Sequence, residues 1–255
     1  MKIINCPQGS PEWHQARAGC ITASMFKTAR QRVNGLDEKQ QAYVNAVLSG
    51  LSEEAAREVA GYKAPPKSET VKRALTGAKV GEPSEAALNY AFRVAVERIS
   101  GQPLDEGFET WQMRRGHDLE PAARLAHEAS AGVVVQRAGF VKTDDDLFGA
   151  SADGLIGDDG GSEYKCLVSP EGLREVLLSD DISEFVDQIQ GCMWITGRRY
   201  WHFALYCPAL APIEKELYWR RVERDDNYIE SLEQDLWQFA MLVNQYEQAL
   251  RQKAA

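Results

Sequence analysis

Apolar residues recur along this chain with two different periods, and the change falls near residue 130. Ahead of it the pattern is helical. Ser10-Pro11-Glu12-Trp13 puts a hydroxyl at an N-cap and a proline at the first helical position, so a short helix begins there and should end near Gly19. Thr22 then stands where it can cap a second helix running to about Arg30. Residues 37–60, rich in Ala, Glu, Gln and Leu, are predicted helical. Tyr62–Pro83, with Pro65-Pro66, Gly77 and Gly81, reads mostly as loop, and another helix covers about Ser84 to Ile99.

Past residue 130 the period shortens. Gly132 to Val141 is a β-branched run that predicts a strand or two. Leu147–Ile156 and Ser162–Leu167 are two further strands joined by a turn at Gly157-Asp158-Asp159-Gly160-Gly161. Helices from Pro170 to about Leu178 and from about Ile182 to Ile195 precede strands at Tyr200–Tyr206 and Ile213–Val222. From an Asp225/Asp226 cap to about Gln252, Ile229, Leu232, Leu236, Phe239, Val243, Tyr246 and Leu250 keep a helical period, as an amphipathic helix packed on a core does. Helices, then strands with a helix pair inserted, then a closing helix imply an α/β domain with a mixed sheet.

Composition narrows the class. The 255 residues fit a single domain, mainly helical over 1–110 and sheet-bearing over 111–255, and 44% hydrophobic with 26% charged residues exclude a disordered chain. No stretch approaches the roughly 20 apolar residues of a membrane span. The opening Met1–Pro7 is too short and polar for a signal peptide. Five widely spaced cysteines, an odd number, fit a reducing cytoplasm. There is no C-x-x-C pair and the four histidines lack zinc-ligand spacing, which argues against a structural zinc or iron–sulfur site.

A net charge of −9 argues against a partner as acidic as DNA until it is divided along the chain. Residues 1–80 hold 12 Lys/Arg and 7 Asp/Glu, a net +5; residues 81–255 hold 17 and 31, a net −14. Trp13 to Leu36 contains Arg17, Lys27, Arg30 and Arg32 and no acid. Such asymmetry suggests an anion site near the N-terminal end; a bias in solvated helices is the plainer alternative.

The candidate chemistry lies in Glu120, Asp153, Glu163 and Lys165. On a strand, residues i and i+2 share a face, so Glu163 and Lys165 project together, and the Gly/Asp turn returns the chain so that Asp153 can lie beside them. Two carboxylates at a strand end form a hard-oxygen site suited to Mg²⁺ or Mn²⁺, and a lysine beside them can hold or deprotonate a water. That equipment suits phosphodiester hydrolysis. The bland alternatives are an ordinary Asp-Gly hairpin turn and a solvated Glu-x-Lys pair.

Asp153…Glu163-Tyr164-Lys165 resembles the PD-(D/E)XK nuclease motif, and four flanking elements resemble the lambda-exonuclease-like (YqaJ viral recombinase) family. Trp13-His14-Gln15-Ala16-Arg17-Ala18-Gly19 followed by Ile21-Thr22-Ala23-Ser24 is similar to its W-x-x-x-R-x-G-x-I-T-A-S signature. Arg115-Gly116 with Glu120 resembles its R-G-x-x-x-E helix, Ser151-Ala152-Asp153-Gly154 its S-P-D-G turn, and Gln188-Ile189-Gln190 its Q-x-Q helix. Ala152 replaces the usual proline, Tyr164 replaces an aliphatic residue, and Cys166-Leu167 lacks the proline that often follows this strand.

The resemblance implies a restriction-endonuclease-like core, a central mixed β-sheet flanked by helices, with an N-terminal helical elaboration. Asp153, Glu163 and the Tyr164 carbonyl would ligate metal, and Glu120 would help hold a second Mg²⁺. Lys165 would orient or activate the attacking water, and Gln188 would position that water or the scissile phosphate. From the residues alone, Gln188 interrupts an apolar stripe and needs a buried partner, with backbone groups as the ordinary one. Arg17, Ser24 and Ser151 match the family's 5′-terminal phosphate pocket, in keeping with guanidinium and hydroxyl donors for phosphate. A lone surface arginine and a helix-side hydroxyl remain the ordinary readings of Arg17 and Ser24, and Trp13 is read as packing or staple.

The activity so implied is a Mg²⁺-dependent, ATP-independent 5′→3′ exonuclease that resects double-stranded DNA from 5′-phosphorylated ends and leaves 3′ single strands. No G-x-x-x-x-G-K-[ST] run supplies a motor. The implied partners are double-stranded DNA ends, a single-strand annealing recombinase and further copies in a ring-shaped homotrimer, in a bacterial cytoplasm and of phage or prophage origin. Alternatives are a restriction-like or repair endonuclease and a non-catalytic DNA-end-binding module. The segment from about Gln31 to Thr110 is longer than in compact members. Its basic run, Lys63, Lys67, Lys72, Arg73 and Lys79, reads either as a DNA-backbone contact or as a solvated loop.

Overall fold

Two sheets that share one bent ribbon form the frame for Asp153 and Glu163. The structure, a computed structural model, describes residues 1–78, 80–104, 111–167 and 169–253; Lys79 and residues 105–110 of the expected elaboration lie outside that set. In chain order the elements are β1 (Lys2–Ile4), α1 (Pro11–Arg17), β2 (Ile21–Thr22), α2 (Phe26–Arg30), β3 (Arg32–Val33), α3 (Glu38–Leu48), α4 (Glu53–Val59), α5 (Glu69–Leu75), β4 (Glu82–Pro83) and α6 (Glu85–Ser100). Then follow α7 (Trp111–Ala131), β5 (Val135–Gln136), β6 (Phe140–Lys142), β7 (Phe148–Ser151), β8 (Gly154–Ile156), β9 (Gly160–Lys165), α8 (Pro170–Ser179), α9 (Val186–Thr196), β10 (Tyr200–Tyr206), β11 (Leu217–Glu223) and α10 (Asp226–Lys253). No helix among the described residues is long and apolar enough to cross a membrane.

Contacts divide the chain into two compact units, residues 1–29 with 90–255, and residues 30–89. The first holds a five-stranded sheet in the order β11-β10-β9-β8-β5 and a four-stranded sheet in the order β1-β6-β7-β2. Both are mixed: β9 and β10 run parallel, as do β2 and β7, and their remaining pairs are antiparallel. This is the α/β class that the order of periodicities implies. Trp201, Phe203, Leu205, Ile189, Met193, Leu232 and Leu236 are fully buried between the sheets' strands and the helices α9 and α10 that carry them.

The ribbon bends at one place. β5 pairs with β8 and β6 with β7 in a single antiparallel register, Gln136 opposite Leu155 and Phe140 opposite Ser151. Arg137–Gly139 therefore runs opposite Ala152–Gly154, and there the ladder is interrupted and its two halves join different sheets. The predicted strand Leu147–Ile156 is thus two strands with Asp153 at the break. Glycines make the bend possible: a Cβ on Gly139 would come within 2.1 Å of the Ile4 carbonyl oxygen, and one on Gly154 within 2.0 Å of Val135 Cγ1.

Residues 30–89 have their own core of Tyr43, Val44, Ala46, Ala56, Ala60, Val71 and Ala74, with Tyr43 and Tyr62 in edge contact at 6.2 Å. The helix predicted over 37–60 is two, α3 behind an Asp37–Gln40 capping box and α4 behind a Ser52 cap, separated at Ser49–Ser52. The predicted loop Tyr62–Pro83 contains α5. Its prolines and glycines flank the helix, the Ser68 hydroxyl accepts from the Val71 amide, and Val71 and Ala74 are buried.

Two further boundaries differ from the sequence reading. Thr22 makes no capping bond with its side chain; it is extended in β2, its amide donates to the Tyr90 hydroxyl at 2.9 Å, and a short 3₁₀ turn at Ala23–Met25 leads into α2. Strand pairing took the backbone conformation that a cap would have used. The last strand begins at Leu217, because Pro208–Ile213 forms a 3₁₀ turn that ends on Glu214 in the left-handed region.

Candidate active site

β9 brings the central residues together. Glu163 and Lys165 share a face, as alternation demands, and Lys165 Nζ lies 2.7 Å from Glu163 Oε1. Gln188, in the first turn of α9, closes a triangle: its Nε2 donates to Glu163 Oε1 at 2.7 Å and its Oε1 accepts from Lys165 Nζ at 3.1 Å. The buried partner of Gln188 is therefore the carboxylate and ammonium, not the backbone. Gln190, two residues on, is the structural member of that pair, bonded to the Glu223 carbonyl and the Asp225 amide. The Lys165 ammonium also lies 5.5 Å from the Phe185 ring centroid.

Asp153 meets the same strand from the ribbon break. Pairing between β8 and β9 stops at Gly154–Ser162, so the Tyr164 amide finds no strand partner there and donates to Asp153 Oδ2 at 2.8 Å. Amide and carbonyl of a strand residue point to the same edge, which directs the Tyr164 carbonyl toward Asp153 as well. Glu120 faces Asp153 across a cleft of about 550 Å³ whose walls include Gln8, His117, Arg137 and Gly139. It is carried there by α7, which Arg115 fastens to the end of β9 by donating to the Cys166 carbonyl at 3.1 Å. Pro121, inside α7, removes the amide that would have bonded to the His117 carbonyl at the cleft wall.

The charges are crowded. Burial, then the charge of Glu120, pushes the Asp153 carboxyl up to about 6; burial, then the charge of Asp153, pushes Glu163 up to about 7. Burial also raises Glu120. Burial works against the Lys165 ammonium, but Glu163 and Asp153 outweigh it and its pKa rises, so Lys165 is a firm cation. Glu163 is 3% exposed, and among the described residues its buried Oε2 finds no hydrogen-bond partner. An orphan carboxylate oxygen beside a second carboxylate and a carbonyl edge fits a hard divalent cation. Among the described residues no three His, Cys, Asp or Glu side chains converge into a ready-made cage, so the candidate ligands are Asp153, Glu163 and the Tyr164 carbonyl, with Glu120 across the cleft.

Two residues before Asp153, Ser151 accepts a hydrogen bond from Trp13 Nε1 at 2.9 Å. The Arg17 guanidinium lies 4.1 Å over the Trp13 ring and 6.0 Å from that of Phe140, the strand partner of Ser151. Burial lowers the Arg17 pKa, and Tyr90 and Glu97 partly compensate. Arg17 and Ser151 are thus joined through Trp13. Ser24 is exposed and sits just past the β2–β7 pairing, its hydroxyl 3.4 Å from that of Thr22.

Trp13, expected from the sequence to act as packing or staple, both supports the guanidinium and holds the serine through its indole. Its spacing from Arg17, one helical turn, is the signal that could have found it. Gln8, whose Nε2 reaches Asp153 Oδ1 at 3.4 Å, stands on a loop and has no sequence signal.

The opposite face of β9 is also polar. The Tyr164 hydroxyl lies 3.0 Å from His127 Nδ1, and His127 Nε2 lies 2.9 Å from His202 Nδ1. Trp219 packs against both imidazoles. Burial, then His127, brings His202 down to about 4, and burial lowers His127 too, so both rings are neutral near pH 7. One direction of donation, Tyr164 to His127 to His202, satisfies each contact.

A profile of the YqaJ-like viral recombinase domain matches residues 71–199. No curated protein matches the chain by sequence. Among solved structures, the alkaline exonuclease LHK-Exo from Laribacter hongkongensis is similar, with a TM-score of 0.68 and 24% identity over 96% of this chain and 98% of that one. The same enzyme in complex with dAMP gives the same values. A phage-related exonuclease from Haemophilus somnus 129PT aligns with a TM-score of 0.54 and 11% identity over 89% of this chain and 99% of that one. At such identities the likeness is one of fold, and it extends over nearly the whole chain.

Proposed function

Because the chain belongs to the YqaJ-like viral recombinase domain family, we propose that it is a Mg²⁺-dependent, ATP-independent 5′→3′ exonuclease acting on 5′-phosphorylated ends of double-stranded DNA. The observation that carries this reading is the adjacency of two sites on one strand end. Ser151, tied through Trp13 to Arg17, and Asp153, beside Glu163 and Lys165, are two residues apart. That separation is about 7 Å along a strand, comparable to the spacing of neighbouring phosphates in a nucleic acid. An end phosphate on Arg17 would set the next phosphodiester over the carboxylates.

Within this reading each residue has a task. Arg17 forks onto the terminal phosphate, and Ser151 and Ser24 add hydroxyl donors. Asp153, Glu163 and the Tyr164 carbonyl would hold Mg²⁺ or Mn²⁺, and Glu120 would contribute to a second ion. A bound divalent cation supplies stabilisation for charge building on the phosphodiester and lowers the pKa of the attacking water. Lys165, held as an ammonium by Glu163, orients that water and offsets negative charge. Gln188 fixes the rotamers of Glu163 and Lys165 and presents its amide toward the same space.

Family membership and the alkaline and phage-related exonucleases of like fold support the nuclease reading. The same reading carries a ring-shaped homotrimer and a single-strand annealing partner that receives the 3′ tail, in a bacterial cytoplasm. Light scattering of the purified protein should return three times the chain mass. The test of activity compares linear duplexes bearing 5′-phosphate or 5′-hydroxyl with a closed circle, each with Mg²⁺ and without ATP. Fastest loss of the phosphorylated linear duplex, with mononucleotides leaving its 5′ end and the circle intact, is expected. Cleavage of the circle would favour an endonuclease, and no product from any substrate would leave an end-binding module.

A further inference from the structure

Arg137 has no part in the site as assigned so far, yet it is exposed, lines the same cleft as Asp153 and Glu120, and is placed there by the bend in the ribbon. The shared register of β5–β8 and β6–β7 puts Phe140 opposite Ser151, and its continuation across the break puts Ala138 opposite Asp153 and Arg137 opposite Gly154. Along the ribbon the order is therefore Arg17 over Phe140 and Ser151, then Asp153, then Arg137. Phe140 and Arg137 are three residues apart, about 10 Å along an extended strand. Arg17 and Arg137 thus stand at the two ends of the stretch of ribbon that carries Asp153, and Arg137 lines the cleft that Asp153 and Glu120 share.

Arg137 makes no ion pair or hydrogen bond with any of the described residues, whereas Arg17 is half-buried and stacked on Trp13. Its charge is felt by Glu120, but Arg124 and His117 act on Glu120 more strongly. An exposed guanidinium on the wall of an acidic cleft is not needed to neutralise that cleft, and its five donors are available to a ligand. A polyanion that enters with its terminus on Arg17 and passes the carboxylates reaches Arg137 next.

We propose that Arg137 binds the phosphodiester immediately 3′ of the one that is cut, holding the strand that stays behind. The inference rests on the exonuclease reading and adds a third anchoring point to it. Arg17 holds the terminal phosphate, the carboxylate site takes the first internucleotide linkage, and Arg137 takes the second. A strand gripped on both sides of the cut stays in register when the first nucleotide leaves, and the contact ignores base identity because it is made to phosphate.

The test uses 5′-phosphorylated duplexes with a neutral methylphosphonate in the second linkage or, as a control, in the fifth. For the wild-type protein with Mg²⁺, neutralising the second linkage should slow release of the first nucleotide roughly tenfold or more, the usual worth of a charged hydrogen bond. Neutralising the fifth should leave it within about twofold. Arg137→Ala should slow the unmodified duplex by a similar factor and be indifferent to the second-linkage substitution, while Arg137→Lys restores part of the rate. Binding of the unmodified end in Ca²⁺ should also lose about one unit of its salt slope in Arg137→Ala. An undiminished methylphosphonate penalty in Arg137→Ala, or an unchanged salt slope, would overturn the assignment. Failure of the wild-type protein to digest the unmodified duplex would overturn the exonuclease reading itself.

Discussion

The two faces of β9 carry buried polar clusters of similar size and opposite finish. On one face Tyr164, His127 and His202 form a chain of neutral groups whose contacts are all within hydrogen-bond distance, sealed by Trp219. On the other, Asp153 raises the pKa of Glu163 and Glu120 that of Asp153, and among the described residues Glu163 Oε2 has no hydrogen-bond partner, beside the single ammonium of Lys165. Folding alone favours the first arrangement, since an unsatisfied buried charge costs several kcal/mol where a satisfied neutral network costs little. Each face keeps one orphan oxygen among the described residues, the neutral Ser162 hydroxyl beside Tyr164 and the Glu163 carboxylate opposite, and the charged one is the one that expects something from solution.

That difference gives opposite responses to pH. Asp153 and Glu163 have folded pKa values near 6 and 7 against ordinary values of 3.8 and 4.5. Between those limits the folded protein holds protons that the unfolded chain has released, so this face loses stability as pH rises through about 4 to 7 when no metal is present. His202 has a folded value near 4 against 6.5, so the sealed face loses stability as pH falls through 6.5 to 4.

The largest way to break the contrast is Asp153→Asn. It should lower exonuclease turnover roughly a thousandfold, the equivalent of several kcal/mol of lost charge stabilisation. It should also raise the metal-free unfolding temperature at pH 8, because one of two repelling carboxylates is gone; a lower unfolding temperature would contradict the crowding argument. Lys165→Ala should cost about 10²–10³-fold in turnover while leaving duplex-end binding intact, as filter binding in Ca²⁺ would show.

Arg17→Ala should reduce the preference for 5′-phosphate over 5′-hydroxyl by about 10–100-fold, and a retained preference would move the terminal-phosphate pocket elsewhere. His127→Phe acts on the sealed face. Leaving the Tyr164 hydroxyl and the His202 ring unsatisfied should cost about 1–3 kcal/mol each, seen as a lower unfolding temperature with turnover per folded molecule within a few-fold of wild type.

Much of this was legible in the sequence because it is local. The Ser10 cap, the spacing of Glu163 and Lys165, and the apolar period of α10 depend on residues a few positions apart. The partner of Gln188 was legible only as a need, since an amide in an apolar stripe demands one and does not say which. What stayed hidden depends on pairing at a distance. Leu147–Ile156 reads as one strand until its register against Val135–Lys142 shows the break at Asp153. Thr22 reads as a cap until β7 claims it as a strand residue. His127 and His202 are 75 residues apart, and neither carries a pattern that announces the other.

The most direct test needs no DNA. Unfolding temperatures are measured at pH 8 over a Mg²⁺ titration for the wild-type protein, Asp153→Asn and His127→Phe. Ligand binding to the folded state alone should raise the wild-type value by a few degrees at an ion concentration well above the dissociation constant. His127→Phe should start lower and gain the same increment, and Asp153→Asn should gain none. An equal gain in Asp153→Asn, or no gain in the wild-type protein, would contradict the account of β9 as a strand with one sealed face and one open cation seat.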